Sequence, residues 1–176
     1  SLIRTFLVQL YIIPSESMTP TINVSDRVLV LKNDIVNINY KLGDIVVFYN
    51  PNNYTKKSYL DKFIYSLKIG VFMQNDISSE AAYIKRIIGL PGDQIDIDNL
   101  GNIYRNNQLL TFDGILNETY GNNENYTIPA NNFFLLGDNR ANSQDSRTFG
   151  YVPFENLIGK AIYKVYPYEN ISSFND

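Results

Sequence analysis

The chain has 176 residues, enough for one domain or a core with a small subdomain. With 15 Lys+Arg against 18 Asp+Glu its net charge is −3, which argues against a strongly basic nucleic-acid binder. Cys and His are both absent, which excludes disulfides, thiol nucleophiles, Ser-His-Asp triads and nearly every zinc centre.

Residues Leu2 to Ile13 are apolar apart from Arg4, Thr5 and Gln9. A helix needs about 20 residues to span a bilayer, so this stretch is too short. It reads as the end of an anchor, an interfacial segment or a core strand. Arg27–Leu31 and Ile45–Tyr49 are apolar runs bounded by turn residues, the second continuous enough for a buried strand. In 54–80, Tyr59, Leu60, Phe63, Ile64, Leu67 and Ile69 approach helical spacing, which suggests one short helix near 56–70 in a surface insertion. Tyr83–Ile88 is a strand with Lys85 and Arg86 inside it, ended by the turn Gly89-Leu90-Pro91-Gly92-Asp93. Gln94–Asp98 alternates and turns through Asn99–Asn102 into Ile103–Arg105, a hairpin with one wet face. Residues 106–132 are Asn-rich and loop-like, Phe133–Leu136 is a buried strand, and Gly159–Tyr166 is the closing strand.

The expected fold is all-β with mainly antiparallel sheets. A core over 1–50, 81–95 and 133–176 carries a small β/loop subdomain at 96–132 and a surface insertion at 51–80. Five Asn-x-Ser/Thr sequons, at Asn23, Asn53, Asn117, Asn125 and Asn170, are what 23 asparagines produce by chance.

With His and Cys absent, a base working near neutral pH must be a carboxylate, a Lys or a Tyr. Three segments offer such chemistry. In Pro14-Ser15-Glu16-Ser17-Met18-Thr19-Pro20 two prolines restrict the backbone on either side of two serines, which suits a hydroxyl presented in one orientation, and equally an ordinary turn. Lys85 shares a strand face with Tyr83 and Ile87. Burial there would disfavour its ammonium and make the amine a workable base, whereas a sheet-edge position would let its head reach water. Gly137–Arg147 follows the most apolar strand with carboxylates, guanidiniums and two hydroxyls. It fails as a calcium loop, because Arg140 stands where a ligand belongs and Ser143 where the glycine should be. No metal and no cofactor is expected.

Together these segments resemble the bacterial type I signal peptidases, Ser/Lys-dyad serine proteases that cleave leader peptides from exported proteins. The matching boxes are Pro14–Thr21 (a Ser-x-Ser-Met-x-Pro-Thr pattern), Asp26–Lys32, Tyr83–Asp93 and Gly137–Arg147, in the family's order. The resemblance implies Ser17 as nucleophile and Lys85 as general base. It further implies an oxyanion hole from the Ser17 N–H and the Ser15 hydroxyl, and Ser143 as the group that orients Lys85. Asp138 with Arg86, and Asp145 with Arg147, would be structural pairs. A substrate would add to strand edges through Tyr11–Ser15 and Tyr83–Lys85, with Tyr11, Ile13, Pro14, Met18, Tyr83 and Ile84 forming shallow apolar pockets for small residues of the Ala-x-Ala type. Signal peptides of exported preproteins and the membrane surface would be the partners, with no nucleic acid. The catalytic domain would stand on the non-cytoplasmic face, held by a spanning helix preceding Ser1.

The chain departs from the family pattern at Ala141, where Asp is usual, and at Glu16, where a small residue is common in one branch. Two other readings compete: a self-cleaving Ser/Lys protease of the repressor type, and a non-catalytic β-rich binding module. The first usually carries a DNA-binding helical domain, and no helix-turn-helix pattern is visible. The second does not account for Ser17, Lys85 and Ser143 occurring together.

Overall fold

A computed structural model describes residues 7–34, 36–52, 82–115 and 123–174. The short helix expected near 56–70 lies outside them. The architecture is almost entirely antiparallel β. The strands are β1 (Val8–Ile12), β2 (Arg27–Lys32), β3 (Ile45–Tyr49), β4 (Ala82–Gly89), β5 (Gln94–Ile97), β6 (Ile103–Arg105), β7 (Gln108–Leu109), β8 (Glu124–Thr127), β9 (Asn132–Leu136), β10 (Val152–Pro153), β11 (Leu157–Tyr166) and β12 (Ser172–Ser173). One helical turn, α1 (Ser146–Phe149), is capped by the Asp145 side chain.

The larger sheet has the order β1-β2-β11-β3-β4-β9-β10, with β12 also paired to β11. The smaller sheet has the order β7-β6-β5-β8. Alternate residues of β3 enter two different cores. Ile45 and Val47 pack with Met18, Val28, Val30 and Ile84, while Val46 and Phe48 pack with Ile87, Phe133 and Leu135. Burial on both faces is why β3 reads as an unbroken apolar run. The smaller sheet is wet on one face, so β5 alternates. Its Ile95 and Ile97 join Ile103 and Ile128 against Ile88, Phe134 and Leu136 of the larger sheet.

Two expectations need correction. The boundary expected after residue 95 falls inside β5, since the smaller sheet begins at Gln94. The stretch 106–132 is not simply loop, because β8 pairs with β5 from Gln94↔Thr127 to Ile97↔Glu124 and Ile128 is fully buried beside it. Backbone pairing to β5 overrides the poor β-propensity of Asn125. Of the three readings of the N-terminal stretch, Val8–Ile12 is strand β1, paired to β2 from Val8↔Leu31 to Ile12↔Arg27.

Among the described residues several stretches of the larger sheet, β10 and β12 included, have a strand neighbour on one side alone, and two of them adjoin the segments that carry Ser17 and Lys85. β1 ends the sheet and pairs only with β2. β4 pairs with β3 from Ala82 to Arg86, but β9 joins it only from Arg86 onward, which leaves Ala82–Lys85 as the second stretch.

Candidate active site

The loop after β1 is anchored at both ends. Ile13 N donates to Asp26 O at 3.0 Å, and Ser25 N donates to Ile13 O at 2.9 Å. Met18 and Ile22 are wholly buried, and Ile22 N closes a turn on Met18 O at 2.9 Å. Between these anchors Ser17 is nearly buried and Ser15 is exposed. The Ser17 carbonyl accepts from Asn139 N at 3.0 Å, so the loop is also tied to the segment after β9.

Lys85 leaves β4 with only 3% of its surface exposed, and its Nζ donates to Ser17 Oγ at 2.7 Å and to Ile84 O at 2.8 Å. The Tyr83 ring lies 5.7 Å from the same nitrogen. Removal from water disfavours the charged amine, and the Asp145 and Asp138 carboxylates oppose that effect. Desolvation wins, and Lys85 is pushed down to about 8. Close to half of the molecules then carry a neutral amine at pH 8, against about 0.4% for an unperturbed lysine. Ser15 Oγ stands 3.4 Å from Ser17 Oγ, a long contact on the exposed side of the loop.

Behind the dyad, Arg86 forks onto Asp138 through Nε at 2.9 Å and Nη2 at 2.7 Å, and its Nη1 reaches Gly43 O at 2.9 Å. Thr21 Oγ1 donates to the same carboxylate at 2.6 Å, so Asp138 joins the nucleophile loop to the base strand. Arg147 forks onto Asp145, whose Oδ2 also accepts from Gly137 N at 3.1 Å. Both carboxylates lack any exposed side-chain surface. Paired, bidentate and hydrogen-bonded further, they meet the conditions under which buried charge is tolerated.

The expected contact between Ser143 and Lys85 is not made. Ser143 Oγ is buried with no hydrogen-bond partner among the described residues, and Lys85 Nζ turns instead to Ser17 Oγ and Ile84 O. Ser143 Oγ rests against Gly137: a Cβ there would stand 2.2 Å from Ser143 Oγ and 2.5 Å from Ser17 O. The serine is therefore within the site, while the lysine uses the Ile84 carbonyl as its second acceptor.

A family model for signal peptidase, peptidase S26, matches residues 1–166 of this chain. The chain belongs to that family. It is 37% identical to signal peptidase I of Leptolyngbya laminosa, over 94% of this chain and 72% of that protein. It is 35% identical to the probable signal peptidase I-2 of a Synechocystis strain, over 99% of this chain and 70% of that protein. A probable thylakoidal processing peptidase 2 of Arabidopsis thaliana is 29% identical over 97% of this chain and 41% of its own length.

The residues expected to line a peptidase cleft are placed unevenly. Tyr11 and Tyr83 are half-buried and Pro14 is exposed. Ile13 and Ile84 are buried at 3% and 8% exposure, and Met18 shows no surface at all. Met18 therefore packs beneath the site with Ile22 and Val28 and is not an accessible wall. Glu16 and Ala141 are both exposed, so neither departure from the family pattern adds a charge to the buried dyad or removes one from it. The sequence pattern assigns no role to Gly137 or Thr21. Thr21 shows no outward sign of its partner. Gly137 carries a faint one, since a glycine ends the most apolar strand just before the polar loop. Among the described residues no group of three or more acidic side chains is arranged to hold a metal ion.

Proposed function

We propose that this enzyme removes signal peptides from exported preproteins by a Ser17/Lys85 dyad. The observation that carries the reading is the buried Lys85 Nζ at 2.7 Å from Ser17 Oγ, with its proton affinity lowered into the working range. The neutral amine takes the hydroxyl proton as Oγ attacks the carbonyl carbon of the scissile bond. The Ser17 N–H and the Ser15 hydroxyl donate to the oxyanion, each worth about 3 kcal/mol of barrier. Collapse of the tetrahedral intermediate breaks the C–N bond, and Lys85 returns the proton to the leaving amine. Lys85 then draws a proton from water as that water attacks the ester carbon, and returns it to Ser17 Oγ as the acyl–oxygen bond breaks, releasing the carboxyl product and restoring both groups.

The leader would bind as an added strand between the free edge of β1 and the half-free edge at Ala82–Lys85. Both edges run toward the dyad. Ile13 and Ile84, barely exposed, would form the floor against which small side chains before the cut are set. The membrane surface is the second partner. On β1, Leu10 is 46% and Ile12 64% exposed, which suits a segment lying at a lipid interface. The dyad would then work on the non-cytoplasmic face, where leaders emerge. No helix among the described residues is long and apolar enough to cross a membrane, so anchorage is not assigned to any of them.

The test is to incubate the protein in detergent micelles with a preprotein bearing an Ala-x-Ala leader and to locate the cut by mass spectrometry. A single cut after the second alanine, absent with Ser17→Ala, is expected. A cut elsewhere, or one that survives Ser17→Ala, would overturn the reading.

A further inference from the structure

One residue of the segment after β9 holds both peptide units that flank the nucleophile. Asn139 N donates to Ser17 O at 3.0 Å, and Asn139 Nδ2 donates to Glu16 O at 3.1 Å. These carbonyls belong to the planar units on either side of the Ser17 Cα, so the two bonds together restrict both soft dihedrals of that residue. Asn139 is itself well supported. Asp138 before it is tied to Arg86 and to Thr21, and the Asn139 carbonyl accepts from Asn142 N at 3.0 Å.

The bond to Glu16 O governs a group on the opposite side of the same peptide. The Glu16–Ser17 peptide is trans and planar, so its N–H points away from its carbonyl. In the mechanism proposed for Ser17 that N–H donates to the oxyanion. Holding Glu16 O from one side therefore aims Ser17 N–H out of the other. Ser17 N donates to no backbone carbonyl among the described residues, which leaves it available to a substrate oxygen. Thr19 N also donates to Glu16 O, at 3.0 Å, closing a turn across the nucleophile. A carbonyl oxygen has two lone pairs, so both donors can bind it at once. The Thr19 bond comes from within the loop and moves with it. The Asn139 bond spans 123 residues of chain and refers the same peptide to the segment after β9.

We propose that Asn139 is a positioning residue for the oxyanion hole: its side-chain amide fixes the Glu16–Ser17 peptide so that Ser17 N–H faces the oxygen that becomes charged. This role rests on the reading of Ser17 as nucleophile. It asks nothing of Lys85, whose bonds go to Ser17 Oγ and Ile84 O. A donor aimed in advance needs no reorganisation as charge develops, so its gain appears in the transition state and not in substrate binding.

The experiment measures kcat and KM on an Ala-x-Ala leader peptide in detergent, from pH 6 to 10, for wild type, Asn139→Ala and Asn139→Asp. Both substitutions leave the backbone bond to Ser17 O in place. Aspartate matches asparagine in shape but offers no N–H when ionised. It is compared at about pH 10, well above the Lys85 midpoint of about 8, where its charge has little effect on the base. Thr19 N still holds Glu16 O in both variants, so the loss should be smaller than the 100-fold or more, roughly, that follows removal of an oxyanion donor. Asn139→Ala should lower kcat about tenfold, keep KM within about twofold and leave the pH midpoint in place. Asn139→Asp should lose at least as much at about pH 10. A kcat within about threefold of wild type in either variant would overturn the proposal. So would a loss in Asn139→Ala carried by KM or by a displaced midpoint, which a merely structural asparagine predicts. If Asn139→Ala does not fold, Asn139→Asp decides by the same kcat criterion. Failure of the functional reading is separable. Cleavage that survives Ser17→Ala defeats that reading and this role with it, whereas full activity in Asn139→Ala beside an inactive Ser17→Ala defeats this role alone.

Discussion

Adding one methyl group at Gly137 would be felt by both serines of the site at once. A Cβ at this position would stand 2.2 Å from Ser143 Oγ, 2.6 Å from Ser143 Cβ and 2.5 Å from Ser17 O. Comfortable non-bonded separations are about 3.5 Å, so the neighbours must retreat by about 1 Å. Ser143 relieves part of the clash by rotating its side chain. Ser17 O is backbone, and Asn139 N holds it at 3.0 Å, so it moves only if the nucleophile loop moves with it. A displacement of about 1 Å at a reacting group costs about 100-fold in rate, equivalent to about 3 kcal/mol of barrier. Overpacking a filled site costs about 1–3 kcal/mol of stability. Gly137→Ala should therefore lose about 100-fold in kcat/KM on an Ala-x-Ala leader peptide at pH 8, and melt at lower denaturant, while remaining folded. Activity within about threefold of wild type would refute the reasoning, because the loop would then have room that the contacts deny.

Other consequences arise from the same geometry. The folded chain holds Lys85 at about 8 against 10.5 for an ordinary lysine, so the unfolded state binds more protons between those values and stability rises with pH through that window. Below pH 8 the cost is fully present, at about 3 kcal/mol. Lys85→Met removes that cost and leaves Ser17 Oγ and Ile84 O without this donor, a loss of about 1–2 kcal/mol. Denaturant melts should accordingly show the inactive variant about 1–2 kcal/mol more stable than wild type at pH 7, the advantage vanishing by about pH 10.5. Asp138→Ala strands Arg86 and releases Thr21, so urea unfolding should show a loss of about 3–5 kcal/mol. Thr21→Val removes one hydrogen bond from the same carboxylate and should cost about 1 kcal/mol by the same measurement, with Arg86 still paired.

What could be read in the sequence was whatever depends on local pattern. β3 was legible because burial on both faces writes a continuous apolar run, and the β5–β6 hairpin because one wet face writes an alternation. β8 was not, since Glu124-Asn125-Tyr126-Thr127 draws its stability from pairing with β5 and from Tyr126 packing on Phe134, 4.5 Å between ring centres. In the site, the strand face of Lys85 followed from alternation, but its choice of acceptor did not. Whether Nζ turns to Ser143 or to Ile84 O is decided by where the segment after β9 sets Ser143 against β4, which no local pattern encodes. Met18 shows the same limit. An apolar residue beside the nucleophile reads alike as pocket wall or core, and only its packing with Ile22 and Val28 decides for core. The roles of Gly137 and Thr21 are not legible in the sequence, because they consist of contacts more than 100 residues away in the chain, with Ser17 and Asp138 respectively.

The central claim is that Ser17 attacks and Lys85 takes its proton, and the pH dependence of kcat/KM between pH 6 and 10 tests it most directly. In detergent, on an Ala-x-Ala leader peptide, the wild type should rise about tenfold from pH 7 to pH 9 and then level, while Ser17→Ala and Lys85→Ala cleave nothing. Cleavage that survives Lys85→Ala, or a wild-type profile flat across that range, would contradict the account.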